Sequence, residues 1–287
     1  MSEFKKQQFP PQHQDVQPGM EWQMRPTPVF ERREGVGCGK LKNKVALITG
    51  GDSGIGRAVA VAFAQEGADV SIVYLNEHRD AEETKNVVLK YDRRCIIIAG
   101  DIKDEEFCRE CVEKTIKEFG RLNVLVNNAG AHYPKKGVED ITREQLENTF
   151  NVNVFSLFYM TKAAMPYLQE GASIINTTSI TAYKGHKSLL DYSASKGAVV
   201  SFTRSLALNL VDKGIRVNGV APGPIWTPLI PASFSEEEVA EFGCSSAMKR
   251  AGQPVEVAPC YVFLASEDSS YMTGQVLHPN GGSIVDG

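Results

Sequence analysis

From residue 44 onward, short apolar runs alternate with longer stretches whose apolar positions recur every three or four residues. Val45–Thr49 is a compact apolar run, residues 57–67 are rich in Ala and Val at helical spacing, and Asp69–Tyr74 is again apolar. Strands buried on both faces read as continuous apolar runs, and amphipathic stretches of ten or more residues read as the helices that cover them. The same alternation predicts helices over 80–91 and 103–119, strands Cys95–Ala99 and 123–126, a long helical region over 142–168, and strand Ser173–Thr177. A helix carrying Tyr192 and Lys196 then runs to about residue 213, followed by a strand over 216–221. Such βαβ succession requires parallel pairing through right-handed crossovers, hence one doubly wound α/β sheet with helices on both faces.

The first 40 residues break this pattern. Pro10, Pro11, Pro18, Pro26 and Pro28 punctuate a stretch without apolar period, so residues 1–40 read as an irregular Pro-rich arm and residues 41–287 as one domain. Phe4, Phe9, Met20, Trp22, Met24, Val29 and Phe30 make that arm more apolar than a solvated tail requires. It is therefore expected to lie across its own subunit or a neighbour.

Composition narrows the function. A net charge of -4 and 42% hydrophobic residues describe an ordinary globular chain. No basic stripe invites nucleic acid, and no run of about 18 apolar residues predicts a membrane span. Six scattered cysteines suit a reducing compartment, so a cytoplasmic protein is expected. Cys108 and Cys111 fall in an amphipathic helix with no second ligand pair nearby, which predicts core packing and no metal site.

Candidate chemistry gathers after the strands. The turn Gly50-Gly51-Asp52-Ser53-Gly54-Ile55-Gly56 follows the first strand and opens a helix, an arrangement that offers backbone N–H groups and a helix N-terminus to a pyrophosphate. Asp101 and Ile102 follow the third strand, Asn127, Asn128, Ala129 and Gly130 the fourth, Ser179 the fifth, and Pro222-Gly223-x-Ile225-x-Thr227 the sixth. Ligands in open α/β sheets bind outside the carboxyl ends of the strands, so these residues can share one cleft. Tyr192 and Lys196 lie four apart and share a helix face. A cation beside a phenol favours the phenolate; a shift from about 10 to neutrality is worth about 4 kcal/mol, so Tyr192 is expected to titrate low.

Together these motifs, in this order and spacing over residues 41–287, resemble the short-chain dehydrogenase/reductase family. The likeness extends to a bacterial general-stress or glucose-dehydrogenase-like subgroup with an N-terminal extension. The resemblance implies a Rossmann-type domain and an oxidoreductase that moves a hydride between a nicotinamide cofactor and an alcohol or carbonyl substrate, such as a sugar, polyol or small ketone. It implies Ser179, Tyr192, Lys196 and Asn153 as catalytic residues, Asn153 anchoring a proton-relay water. Gly50, Asp52, Ser53, Gly54, Ile55, Gly56, Tyr74, Asn76, Asp101, Ile102, Asn128, Ala129, Gly130, Tyr192, Lys196, Pro222, Gly223, Ile225 and Thr227 would bind the cofactor. Acidic Asp52 in the turn would repel a 2′-phosphate, which favours NAD over NADP. Residues 226–251 are expected to form a lid, with Trp226, Leu229, Ile230, Phe234, Phe242 and Met248 in it and His132, Tyr133, Tyr183 and His186 facing the same space. The resemblance also implies a homotetramer. The rival readings are an NADP-dependent 3-oxoacyl thioester reductase and a dinucleotide sensor without turnover.

Overall fold

A computed structural model describes residues 9–31 and 37–285. Phe4 and the residues around Gly35 in the expected arm lie outside the described residues.

Seven parallel strands form one sheet in the order β3-β2-β1-β4-β5-β6-β7. They are β1 (Val45–Thr49), β2 (Asp69–Tyr74), β3 (Cys95–Ala99), β4 (Val124–Asn127), β5 (Ser173–Thr177), β6 (Arg216–Val220) and β7 (Val276–Leu277). Alternate strand residues feed two cores. Ala46, Ile48, Val70, Ile72 and Ile175 meet α1 (Gly54–Gln65) and α9 (Pro254–Ala265) on one face. Leu47, Val73, Leu125, Ile174 and Val217 meet α3 (Glu105–Phe119), α5 (Ser156–Ala164) and α7 (Leu190–Leu210) on the other. Helices thus cover both faces, and the apolar runs were apolar because neither side of the sheet meets water. The remaining helices are α2 (His78–Leu89), α4 (Arg143–Phe150), α6 (Thr181–Lys184) and α8 (Glu236–Ala240).

Two differences from the sequence reading bear on the site. The long helical region is interrupted by a π turn at Asn151–Phe155, which turns Asn153 inward, to 0% exposure. Helix α9 and strand β7 carry no sequence period, because α9 is mostly apolar with Pro259 inside it and β7 is two residues long. Cys108 and Cys111 sit on the buried face of α3, where burial pushes both thiols up.

Residues 9–31 lie against their own chain. Phe9 stacks on Trp226 at 3.8 Å and 6°, Trp226 Nε1 donates to Pro26 O at 2.8 Å, and Gln14 N donates to Pro231 O at 2.8 Å. No described helix is long and apolar enough to cross a membrane.

Candidate active site

The carboxyl ends of β1 to β6 open into one cleft of about 1010 Å³. It spans the point where the sheet order reverses, between β1 and β4, each reached from its neighbour by a crossover in the opposite direction. At ~4.8 Å per strand, the β3 and β5 ends stand roughly 19 Å apart, room for an extended dinucleotide.

On the β1–β3 side the glycine turn forms the floor. Gly50 and Gly54 have φ of +61° and +51°, the left-handed region that glycine enters without strain. A Cβ at Gly50 would come to 3.0 Å from Ala129 Cα, and one at Gly54 to 3.1 Å from the Thr227 side chain. Asn128 latches the turn: its Nδ2 donates to Thr49 O and Gly50 O, both at 3.1 Å, while its N–H donates to Thr49 Oγ1 at 2.9 Å. Asp52, Ser53, Ile55, Tyr74, Asp101, Ile102, Ala129 and Gly130 also line the cleft, as do Pro222, Gly223, Ile225 and Thr227 opposite.

Two residues expected to bind cofactor stand elsewhere. Gly56 faces the back of the turn, where a Cβ would overlap Gly50 O; it permits α1 to pack close to β1. Asn76 is exposed beside the cleft, and the neighbouring Leu75 and Glu77 line it instead. Glu77 is 2% exposed and stands near Asp52, at 4%. Burial, then the nearby Glu77 charge, push Asp52 up to about 7. This buried acid pair could not be recognised from sequence, because the two residues are 25 positions apart.

At the β5–β6 side, Ser179, Tyr192 and Lys196 converge. Ser179 Oγ accepts from Thr181 N and Thr181 Oγ1, both at 3.1 Å, which leaves its own hydrogen free to donate into the cleft beside the Tyr192 phenol. Lys196 Nζ donates to Thr177 O at 2.9 Å and lies 5.7 Å from the Tyr192 ring centroid. The expected low Tyr192 titration is not what this geometry produces. Burial pushes Tyr192 up to about 12, with only Ser179 opposing, and pushes Lys196 down to about 8. Desolvation wins because the ammonium is spent on a carbonyl and not on the phenol oxygen.

Asn153 does not line the cleft. Its Oδ1 accepts from Ala131 N at 2.9 Å, and its Nδ2 donates to Ala131 O at 2.9 Å and Ser195 Oγ at 3.0 Å. With these three bonds and no exposed surface, the side chain holds the loop after β4.

The lid is partly as expected. Leu229, Ile230, Phe234 and Phe242 line the cleft, together with Tyr133, His132 and His186. Trp226 is fully buried against the arm, Met248 is 59% exposed, and Tyr183 packs on His278 away from the cleft. His132 is 4% exposed and packs edge-on to Tyr192, with ring centroids 5.1 Å apart. Burial pushes it down to about 3, so it is neutral; one ring nitrogen bonds the Leu229 backbone and Nε2 has no partner. Sequence reasoning missed Gln17, Pro18 and Gly19, arm residues that also line the cleft. Gln17 Nε2 donates to His132 O at 2.7 Å and Ser233 Oγ at 3.0 Å, and its Oε1 is buried without a partner.

The residues present fit a nicotinamide dinucleotide. The glycine cradle fills if Cβ atoms are added, the acid pair lines the same cleft at the β1–β2 side, and Lys196 Nζ lies by side-chain-free Gly130. Comparison with known proteins points the same way. A family profile described as enoyl-(acyl carrier protein) reductase matches residues 50–283. General stress protein 39 of Bacillus subtilis is 60% identical over 278 residues, 97% of each chain. Glucose and ribitol dehydrogenase of Daucus carota is 54% identical over 286 residues, 98% of each chain. NADPH-dependent aldehyde reductase 1 of Arabidopsis thaliana is 54% identical over 282 residues, 96% of this chain and 98% of that one. A short-chain dehydrogenase of Burkholderia cenocepacia, solved with NADP, superposes with a TM-score of 0.80 at 33% identity, over 85% of this chain and 98% of that one.

Proposed function

This chain belongs to the short-chain dehydrogenase/reductase family of oxidoreductases, and from that premise we propose that it interconverts a sugar or polyol hydroxyl with its carbonyl. The convergence of Ser179, Tyr192 and Lys196 on one end of the cleft carries this reading. When bound, nicotinamide supplies the hydride acceptor or donor. Ser179 gives a hydrogen bond to the reacting oxygen, and Tyr192 takes the hydroxyl proton in oxidation or returns it in reduction. Lys196 adds positive charge beside the phenol and anchors the floor through Thr177 O. Asn153 positions the β4 loop that carries Ala131 and Gly130. Residues 41–287 form the catalytic domain in this reading, and residues 1–40 the arm.

A hydroxyl-rich substrate is supported by the polar side chains among the cleft lining, His186, Ser188 and Glu238, which can exchange hydrogen bonds with flanking hydroxyls. The carrot relative's name agrees with that class.

For the cofactor we favour NAD. Asp52 and Glu77 would repel a 2′-phosphate, and the nearby cations are engaged: Arg57 pairs with Glu21 at 2.6 Å, and Arg79 stacks over Trp22 at 4.4 Å. NADP is the second reading, favoured by the Arabidopsis relative's name and the NADP-bound structure. Titration with both reduced cofactors is expected to show NADH binding at least tenfold more tightly, and Asp52→Asn to narrow the gap. Tighter NADPH binding would contradict the acid-pair argument.

We further propose a homotetramer, supported by exposed Leu146, Phe158 and Leu208 on α4, α5 and α7, and residence in the cytoplasm, supported by six free cysteines.

A further inference from the structure

We infer that Glu21 of the N-terminal arm is a positioning residue for the cofactor turn, so that docking of the arm and binding of the dinucleotide are coupled. The inference rests on the dinucleotide reading above and assigns the arm a part in it.

The glycine turn must present its N–H groups to an anion with two residues held in the left-handed region. Its rear is fixed by side chains from three separate segments. Arg57 Nε, from α1, donates to Asp52 O at 2.9 Å, and Thr84 Oγ1, from α2, donates to the same oxygen at 2.7 Å. The arm supplies the third tie: Gly54 N donates to Glu21 Oε2 at 2.6 Å. Glu21 is itself locked in place. Its Oε1 lies 2.6 Å from Arg57 Nη1, and its backbone N donates to Asp80 Oδ2 at 2.8 Å. Asp80 Oδ1 accepts from Trp22 N at 3.3 Å and lies 3.2 Å from Arg57 Nη2.

This cluster is dry. Glu21, Arg57 and Asp80 are 1%, 1% and 0% exposed. Glu83, half-exposed, adds a fourth charge 3.4 Å from Arg57 Nη1. Inside the domain, Arg57 Nη1 has only half-exposed Glu83 as a partner, and Gly54 N–H opens helix α1. Glu21 completes both. Removing the carboxylate would leave Gly54 N–H without this acceptor in a buried place and Arg57 Nη1 with Glu83 alone, and the turn would relax to satisfy them.

The arm reaches the cleft from the same segment. Gln17, Pro18 and Gly19 line it only two to four residues before Glu21. A Cβ at Gly19 would overlap Pro228 O, so the arm also presses on the loop that carries Ile225 and Thr227. One strand of chain therefore touches the turn from behind and the opposite wall from the side. An element that holds both halves of a binding site must, by linkage, be held more firmly when the site is filled.

Other anchors keep the arm docked when Glu21 changes: Phe9 on Trp226, Pro26 O on Trp226 Nε1, and Val255 N donating to Val29 O at 3.0 Å. Point variants of the full chain thus isolate the turn from the arm as a whole. Glu21→Ala, Glu21→Gln and the exposed-arm control Asp15→Asn, whose side chain is 99% exposed, would be compared with wild type for NADH affinity, steady-state constants and amide hydrogen exchange. Glu21→Ala is expected to weaken NADH binding and raise the cofactor KM at least tenfold, with kcat changed less than twofold. Glu21→Gln, which keeps an acceptor for Gly54 N–H, is expected to lose at least threefold, and Asp15→Asn nothing. In wild type, saturating NADH is expected to slow exchange at residues 19–22, and Glu21→Ala to abolish that protection. Unchanged cofactor affinity and KM in either Glu21 variant, with only the melting temperature lowered, would reduce Glu21 to a structural strap and overturn the coupling. Should Glu21→Ala not fold, Glu21→Gln and the wild-type exchange decide. Wild type failing to bind NADH or NADPH would overturn the dinucleotide reading itself, an outcome visible before any variant is made.

Discussion

Tyr192→Phe is expected to lower kcat by two to four orders of magnitude while leaving cofactor affinity within about twofold, because positioned proton transfer contributes about that much. The substitution removes one oxygen and keeps the ring, which still packs on His132. The pH profile follows from the site's charges. With the phenol pushed up to about 12, Tyr192 carries its proton at neutral pH and is ready to donate it. Carbonyl reduction is therefore expected to be flat across neutrality and to fall above about pH 8, where Lys196, pushed down to about 8, loses its charge. Alcohol oxidation needs the phenolate and is expected to rise with alkalinity, close to tenfold per pH unit while proton removal limits the rate. Steady-state assays of both directions check this. Activity within tenfold of wild type in Tyr192→Phe would remove the tyrosine from the mechanism.

The second large effect concerns stability. Trp226→Ala is expected to cost about 3–5 kcal/mol of unfolding free energy, the usual loss for deleting a buried aromatic side chain. Trp226 is 0% exposed, stacked face to face on Phe9 and bonded through Nε1 to Pro26 O. Its loss empties the seat on which the arm rests, so residues 9–31 should also exchange amide hydrogens faster. Trp226→Phe keeps a ring against Phe9 and forfeits the N–H bond, for a smaller loss of about 1 kcal/mol or more. Urea unfolding of both variants measures the difference. A loss below about 1 kcal/mol for Trp226→Ala would mean that the arm is not a packed part of the domain.

The sheet was legible because its strands are buried on both faces and its covering helices are amphipathic, two periods that do not resemble each other. What failed to show were elements without a period: apolar α9 with Pro259 in it, two-residue β7, and the π turn that swings Asn153 into the core. In the site, residues that follow strands directly could be gathered from order alone, as Ser179, Asp101 and Thr227 were. Contacts made by the arm could not. Glu21 meets Gly54, and Gln17 meets His132, across 33 and 115 residues of chain, and an irregular Pro-rich segment carries no signal of where it will land. The titration of Tyr192 departs from the expectation of helical spacing for a related reason. Helical spacing places Lys196 on the same face but says nothing of Thr177 O, which captures the ammonium. Nor does spacing reveal desolvation, which governs both groups.

Direct transfer of hydrogen between substrate and nicotinamide is the central chemical claim. Wild-type protein incubated with NAD and a polyol deuterated at its carbinol carbons should yield reduced cofactor carrying one deuterium, detected by mass spectrometry, and Tyr192→Phe should yield almost none. Reduced cofactor without deuterium, or no reduced cofactor from any polyol, sugar or simple alcohol with either nicotinamide, would contradict it.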